Sequence, residues 1–204
     1  MKTSVFTGGL AQTNGWLLET ADGNLLVDAP EGIAAWLRAR GVRIDALLLT
    51  HQHYDHVLDA AALQKQGVPV HAFAPYSQDL TLEKPARDWG MPIRVEPFTV
   101  DHLIQPGEPL ALFGLEFSVA HVPGHATDSL TFHLPAHGIV LAGDALFQGS
   151  IGRTDLPGGD TDTLLDGIRR HLLTLDPATR VLPGHGPETT IDAEANGNPF
   201  LREA

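Results

Sequence analysis

Apolar and polar positions follow two rhythms along this chain, and the switches between them mark out its elements. Residues 13–20 and 24–29 are apolar runs parted by Ala21-Asp22-Gly23-Asn24, a turn-forming stretch, which predicts an antiparallel hairpin. Gly32 to Arg40 places its apolar residues at helical spacing and stops at Gly41, predicting an amphipathic helix. Residues 44–49 read as a buried strand, Val57 to Gln66 as a second helix ending at Gly67, 69–73 as a strand and 76–83 as a short helix. Five prolines interrupt the stretch 84–109, and no element is assigned there.

From Leu110 the strand rhythm returns near 110–113, 115–121, 129–134 and 138–142, followed by a helix over Thr161 to Thr174, a strand at 180–182 and a short helix in the tail. Strands that alternate with helices and gather in two groups predict an α/β (α+β) protein. Two sheets with helices outside each would form a four-layer αββα sandwich, with the loops that follow the strands meeting at one edge.

Composition narrows this picture. A chain of 204 residues with no compositional break is expected to form one domain. Met1 to Leu10 has neither a charged segment followed by a continuous apolar one nor the start of a membrane span, so a cytoplasmic protein is expected. The formal charge is 13 minus 25, or −12, a field that repels nucleic acid and anionic membranes. There is no cysteine, so any metal must be held by histidine and carboxylate, a donor set suited to Zn, Fe or Mn.

The chemistry concentrates at residues 50–56, Thr-His-Gln-His-Tyr-Asp-His. Buried imidazoles and carboxylates need partners, and a divalent ion provides them. In an extended segment His51, His53 and Asp55 would share one face and His56 the other. A turn after Thr50 would let His51 and His53 converge on one ion while Asp55 and His56 reach a second about 3.5 to 4 Å away. Three further candidates follow apolar strands beside glycine: His125 in Val-Pro-Gly-His, Asp144 in Leu-Ala-Gly-Asp and His185 in Leu-Pro-Gly-His-Gly. Together these residues suffice for two ions, with His51, His53 and His125 on one, Asp55, His56 and His185 on the other, and Asp144 between them. Asp28, at the end of the 24–29 strand, is read either as a brace for a ligand imidazole or as a plain turn residue.

The pattern His51-x-His53-x-Asp55-His56, His125, Asp144, His185 resembles that of the metallo-β-lactamase fold superfamily over essentially the whole chain. Within it, Gly143 to Phe147, Gly152 to Asp160 and the tail Glu194 with Asn198-Pro199-Phe200-Leu201 are similar to short hydrolases of the glyoxalase II (hydroxyacylglutathione hydrolase) type. This resemblance implies the metallo-β-lactamase fold, two divalent ions per chain (zinc, with iron or manganese as alternatives) and hydrolysis of glutathione thioesters of the S-D-lactoylglutathione type. It also places Arg153 toward the thiol portion of the substrate; a loop ion pair with Asp155 or Asp160 is the other reading of that residue. Only 19 residues follow His185, so the C-terminal helical glutathione-binding domain of longer glyoxalase II enzymes is expected to be absent.

Two ions, two aspartates and one hydroxide sum to 4 minus 2 minus 1, or +1, a local attractor for anions in an acidic protein. A hydroxide bridging the ions is the expected nucleophile, with Asp55 orienting it, and the ions would stabilise the oxyanion. The 143–160 loop contains no Tyr, Lys or His to protonate an amine. A thiolate leaving group, whose thiol pKa is about 8.5, needs no such acid. Thioester hydrolysis is therefore the expected reaction. The alternatives are a mononuclear iron persulfide dioxygenase and, third, a lactonase or other ester hydrolase. The expected partner is a small thioester, without nucleic acid or membrane, and the chain is expected to be a monomer or small homo-oligomer.

Overall fold

Leu47, Leu48 and Leu49 are fully buried, as a strand covered on both faces requires, and around them the first of two six-stranded sheets among the described residues is built. A computed structural model describes residues 1–202. It divides into two compact units: Met1–Ile104 with Leu112–Gly114, and Gln105–Ala111 with the residues from Leu115 onward.

In the first unit six strands lie in the order β1 (Lys2–Gly8), β2 (Thr13–Glu19), β3 (Asn24–Val27), β4 (Ala46–Leu48), β5 (Val70–Ala72) and β6 (His102–Leu103). The pairs β1–β2 and β2–β3 are antiparallel, whereas β3–β4, β4–β5 and β5–β6 are parallel. Helix α1 (Ile33–Ala39) makes the crossover from β3 to β4 and buries Ile33 and Leu37 in the unit's core with Leu17, Leu26, Leu47 and Val70. The expected hairpin, first helix and central strands are all present. Strand β1 was not anticipated; its polar, half-exposed sequence carries little apolar alternation, and only pairing with β2 reveals it.

The helix expected over 57–66 is two helices, α2 (Tyr54–Val57) and α3 (Ala60–Gln64). The His56 carbonyl, which a continuous helix would give to residue 60, instead accepts from Ala29 N at 2.7 Å, while Asp59 N donates to Ala29 O at 3.0 Å. Asp59 also accepts from Gly32 N at 3.1 Å and Ala34 N at 2.9 Å, at the first turn of α1. The break thus ties the histidine-rich segment to the α1 entrance. The helix expected over 76–83 is likewise split, into α4 (Gln78–Thr81) and α5 (Glu83–Asp88), and α5 runs into the proline-interrupted stretch. Pro85 is tolerated there because first-turn N–H groups have no helical acceptor to lose.

The second unit's sheet has the order β14 (Thr189–Thr190), β13 (Arg180–Pro183), β10 (Ile139–Gly143), β9 (Leu130–Leu134), β8 (Leu115–His121) and β7 (Leu110–Leu112). Only β10–β13 is parallel among the pairs with β9, β13 and β14, and α6 (Thr161–His171) lies between these two strands in sequence. Asp160 caps α6 by accepting from Thr163 N at 2.7 Å, and Leu164 and Ile168 bury its apolar face against Val122, Val140 and Val181. A short hairpin of β11 (Leu146–Phe147) and β12 (Ser150–Ile151) follows β10, and α7 (Ile191–Gly197) follows β14. The exposed pair Arg169-Arg170 lies on α6, where Arg170 sits 3.5 Å from Asp166. Among the described residues no helix is long and apolar enough to cross a membrane.

Candidate metal centre

Strand β4 leads into the first set of candidate ligands. Its neighbour β3 is followed directly by Asp28, whose backbone has a φ of +63° and whose N–H reaches Leu48 O at 2.9 Å. A non-glycine residue in the left-handed region is strained, and here the strain turns the carboxylate back across the end of β4. Asp28 Oδ1 accepts from Thr50 N at 2.8 Å, and Oδ2 accepts from Thr50 Oγ1 at 2.7 Å and His56 Nδ1 at 2.9 Å. Of the two readings of Asp28 from sequence, the brace is the one observed.

These bonds decide ring chemistry. With its Nδ1–H donated to Asp28, a neutral His56 keeps its lone pair on Nε2. The Thr50 hydroxyl hydrogen is committed to Asp28, so at 3.1 Å Thr50 Oγ1 accepts from His51 Nδ1, and a neutral His51 likewise keeps its lone pair on Nε2.

The ring of His51 lies edge-on to His53 with centroids 4.5 Å apart, and 4.1 Å from that of His56. His53 sits at the N-terminus of α2, and Asp55 and His56 lie in its first turn. The segment is therefore not extended past His53, which corrects the alternating-face geometry and leaves the turned one. Asp55 Oδ2 accepts from Thr13 Oγ1 at 2.6 Å and lies 3.5 Å from His56 Nε2. Gln52 points into the fold: its Nε2 donates to the carbonyls of Ala74 and Pro75 at 3.0 and 3.2 Å, and its Oε1 accepts from Ser77 N. Thr13 and Gln52 were not singled out in sequence, since each works through a partner more than 20 residues away.

The second set belongs to the second unit. Parallel pairing of β10 with β13 places Gly143 opposite Pro183, and Gly184 N donates to Gly143 O at 2.8 Å. Asp144, next after β10, and His185, two residues beyond β13, therefore meet: His185 Nε2 is 3.2 Å from Asp144 Oδ2. His125 Nε2 is 3.4 Å from the same oxygen, and its Nδ1 donates to Arg153 O at 2.8 Å. A carbonyl can only accept, so a neutral His125 also carries its lone pair on Nε2.

Two glycines permit this packing. A Cβ on Gly152 would collide with the Asp144 carbonyl oxygen and come within 3.0 Å of His125. Gly124, at φ +119°, lies against the start of α6, where a Cβ would come 2.6 Å from Asp160 O. The Phe147 ring stands edge-on to His185 with centroids 5.8 Å apart. The guanidinium of Arg153 is exposed and paired with Asp155 through two bonds of 2.7 and 2.8 Å, while its carbonyl serves His125.

The donor set fits divalent metal ions. Three imidazoles have hydrogen-bonded Nδ1 atoms, which leaves Nε2 as the atom that would ligate, the arrangement that orients metal-binding histidines. In the first set, possible ligand atoms of His51 and His53, of His51 and His56, and of Asp55 and His56 lie within 4.8 Å of each other. In the second, one carboxylate oxygen faces two imidazole nitrogens. Nitrogen and oxygen donors without sulfur suit zinc, iron or manganese.

Comparison with known proteins bears on the same residues. A family model described as the metallo-beta-lactamase superfamily matches residues 8–185. The hydroxyacylglutathione hydrolase GloC of Haemophilus influenzae is 38% identical over 200 residues, spanning 93% of this chain and 93% of that protein. Among solved structures, BLEG-1, a B3 metallo-beta-lactamase, superposes with a TM-score of 0.89 at 34% identity, covering 99% of this chain and all of that one. TTHA1623, solved in a di-iron-bound form, superposes with a TM-score of 0.83 at 41% identity, covering 97% and 100%.

Proposed function

Because this chain belongs to the metallo-β-lactamase superfamily and shares its metal-dependent hydrolase character, we propose that it hydrolyses thioesters of glutathione, of the S-D-lactoylglutathione type. In this reading His51, His53 and His125 hold one divalent ion, Asp55, His56 and His185 a second, and Asp144 serves both. The observation that carries the metal chemistry is the Nδ1 hydrogen bonding of His51, His56 and His125, which fixes in each neutral ring the tautomer with its lone pair on Nε2. Support for the substrate comes from the GloC relative, similar over nearly its full length.

Divalent ions, when bound, lower the pKa of water to about 7 and polarise a carbonyl oxygen. The residues supply the rest. Asp55, held at Oδ2 by Thr13, orients the attacking water. The thiolate leaves without a proton donor, consistent with a 143–160 loop that has no Tyr, Lys or His. Arg153 engages the carboxylates of the thiol portion by exchanging its bond to Asp155. Zinc and iron both suit the donors, and the di-iron-bound relative supports iron. The same reading makes the protein cytoplasmic, with a small thioester as its partner and no role for nucleic acid or membrane, and acting as a monomer or small homo-oligomer.

The test is release of thiol from S-D-lactoylglutathione by protein loaded separately with Zn, Fe and Mn, beside other acyl-glutathione and acyl-coenzyme A thioesters. Turnover of the glutathione thioester, lost on chelation, is expected. Failure with all three metals removes the thioesterase reading, and O₂ consumption with glutathione persulfide would replace it by the iron dioxygenase.

A further inference from the structure

The tail residues Glu194 and Asn198 lie beyond His185, the last candidate ligand in the chain, yet both are buried, at 2% and 1% exposure. Glu194 Oε1 accepts from Thr189 Oγ1 at 2.6 Å, while Oε2 accepts from Gly149 N and from Asn198 Nδ2, each at 2.8 Å. Asn198 Nδ2 donates also to Ser150 O at 2.9 Å, and its Oδ1 accepts from Phe200 N at 3.0 Å. Two side chains therefore grip the backbone of consecutive residues, the N–H of Gly149 and the carbonyl of Ser150, where the β11–β12 hairpin turns into β12.

That hairpin pairs only Leu146 with Ile151 and Phe147 with Ser150, too little to hold its own shape. It nevertheless supports all three candidate ligands of its unit. Asp144 lies two residues before β11. Gly152 and Arg153 follow β12, the first packed on the Asp144 backbone and the second accepting from His125 Nδ1. Phe147 stands against the His185 ring. A buried carboxylate is costly unless donors surround it, and the donors of Glu194 include the hairpin backbone itself.

We propose that Glu194 and Asn198 are positioning residues for the metal centre: by clamping the β11–β12 hairpin they hold Asp144, His125 and His185 in ligating geometry. This rests on the reading of those three as metal ligands. Loosening the clamp is expected to weaken metal binding tenfold or more, the range for residues that orient ligands.

The test is titration of the metal-free protein with Co²⁺, followed by its visible absorption and by competition with a chelator, alongside far-UV circular dichroism. Glu194→Met keeps the volume but removes every acceptor; it should stay folded and bind Co²⁺ at least tenfold more weakly, with an altered spectrum. Glu194→Gln keeps an acceptor toward Gly149 and Asn198 and should bind within threefold of wild type. Thr189→Val severs only the bond directed away from the hairpin and should leave binding unchanged.

Asn198→Ala, which releases Ser150 O, provides a second route if Glu194→Met does not fold, with the same tenfold weakening expected. Folded Glu194→Met or Asn198→Ala protein with wild-type affinity and spectrum overturns the proposal. So does failure of both to fold, which would make the network one of global stability. Asp144→Asn and His185→Ala in the same titration separate the two claims: if neither weakens binding, the ligand assignment falls, and if both do while the clamp variants do not, only the clamp falls.

Discussion

Asp28 accepts a 2.9 Å hydrogen bond from His56 Nδ1 while its own backbone sits at a φ of +63°. The strained residue and the candidate ligand imidazole are thus one device: the turn after β3 is what brings the Asp28 carboxylate under His56 and Thr50.

Replacing Asp28 by Asn tests this coupling, since Asn tolerates the left-handed region but presents an amide donor to groups that themselves donate. Asp28→Asn is expected to keep its far-UV circular dichroism and to lose about tenfold or more in metal affinity, as for other partners of ligand imidazoles. Competition against a chromophoric chelator reads the loss, and an unchanged affinity would reduce Asp28 to a turn residue.

Gly152 makes the opposite kind of contribution, by lacking a side chain. Gly152→Ala drives a Cβ into the Asp144 carbonyl and toward His125, and a cost of about 3 kcal/mol or failure to fold is expected. Gly149→Ala is the comparison. Its φ is +66° but nothing lies within 4 Å of the added carbon, so backbone strain alone should cost about 1 kcal/mol. Urea unfolding midpoints should rank wild type, Gly149→Ala and Gly152→Ala in that order; equal midpoints for the two variants would contradict the close approach.

Arg153 lowers the Asp155 carboxyl from its ordinary 3.8 to about 2, chiefly through the side-chain hydrogen bonds. The folded pKa is depressed, so the pair's contribution is present above pH 3.8 and is lost as pH falls toward 2. Carboxyl ¹³C titration should place Asp155 near 2 in the wild type and closer to 3.8 in Arg153→Ala. A thioester anion that draws Arg153 away should raise the midpoint in the same direction. Identical midpoints in wild type and variant would mean that the pair is open in solution.

Burial, aided by the adjacent His102 imidazole and opposed by Asp101, lowers His71 from 6.5 to about 4. The two rings stack with centroids 4.5 Å apart. Between these pH values the unfolded chain binds a proton that the folded chain refuses, so this contribution is intact above pH 6.5 and declines as pH falls toward 4. His71→Phe should lose less stability than wild type between pH 7 and pH 4.5 in urea melts at each pH. Parallel pH profiles for the two proteins would rule His71 out as a source of acid sensitivity.

What was legible in sequence is what is local. The run from His51 to His56 follows an apolar strand directly, and His125, Asp144 and His185 each follow a strand beside glycine, so strand rhythm and residue chemistry single them out as candidate ligands without any fold. Sheet and helix assignments succeeded where apolar spacing was strong, as in α1, β4 and α6. They failed for β1, whose polar sequence becomes a strand only by pairing with β2, and at the α2–α3 break, where Ala29 takes hydrogen bonds that helical periodicity would assign elsewhere.

The sequence by itself determined the donor types, the absence of thiolates, the acidic field and the family resemblance, because each depends only on which residues occur and in what order. The tertiary structure alone decided which groups orient those donors. Asp28 meets His56 across 28 positions, Thr13 meets Asp55 across 42 and Glu194 meets Gly149 across 45. No local pattern encodes such pairings. They arise when buried carboxylates and hydroxyls, brought together by strand register and packing, satisfy one another in the absence of water.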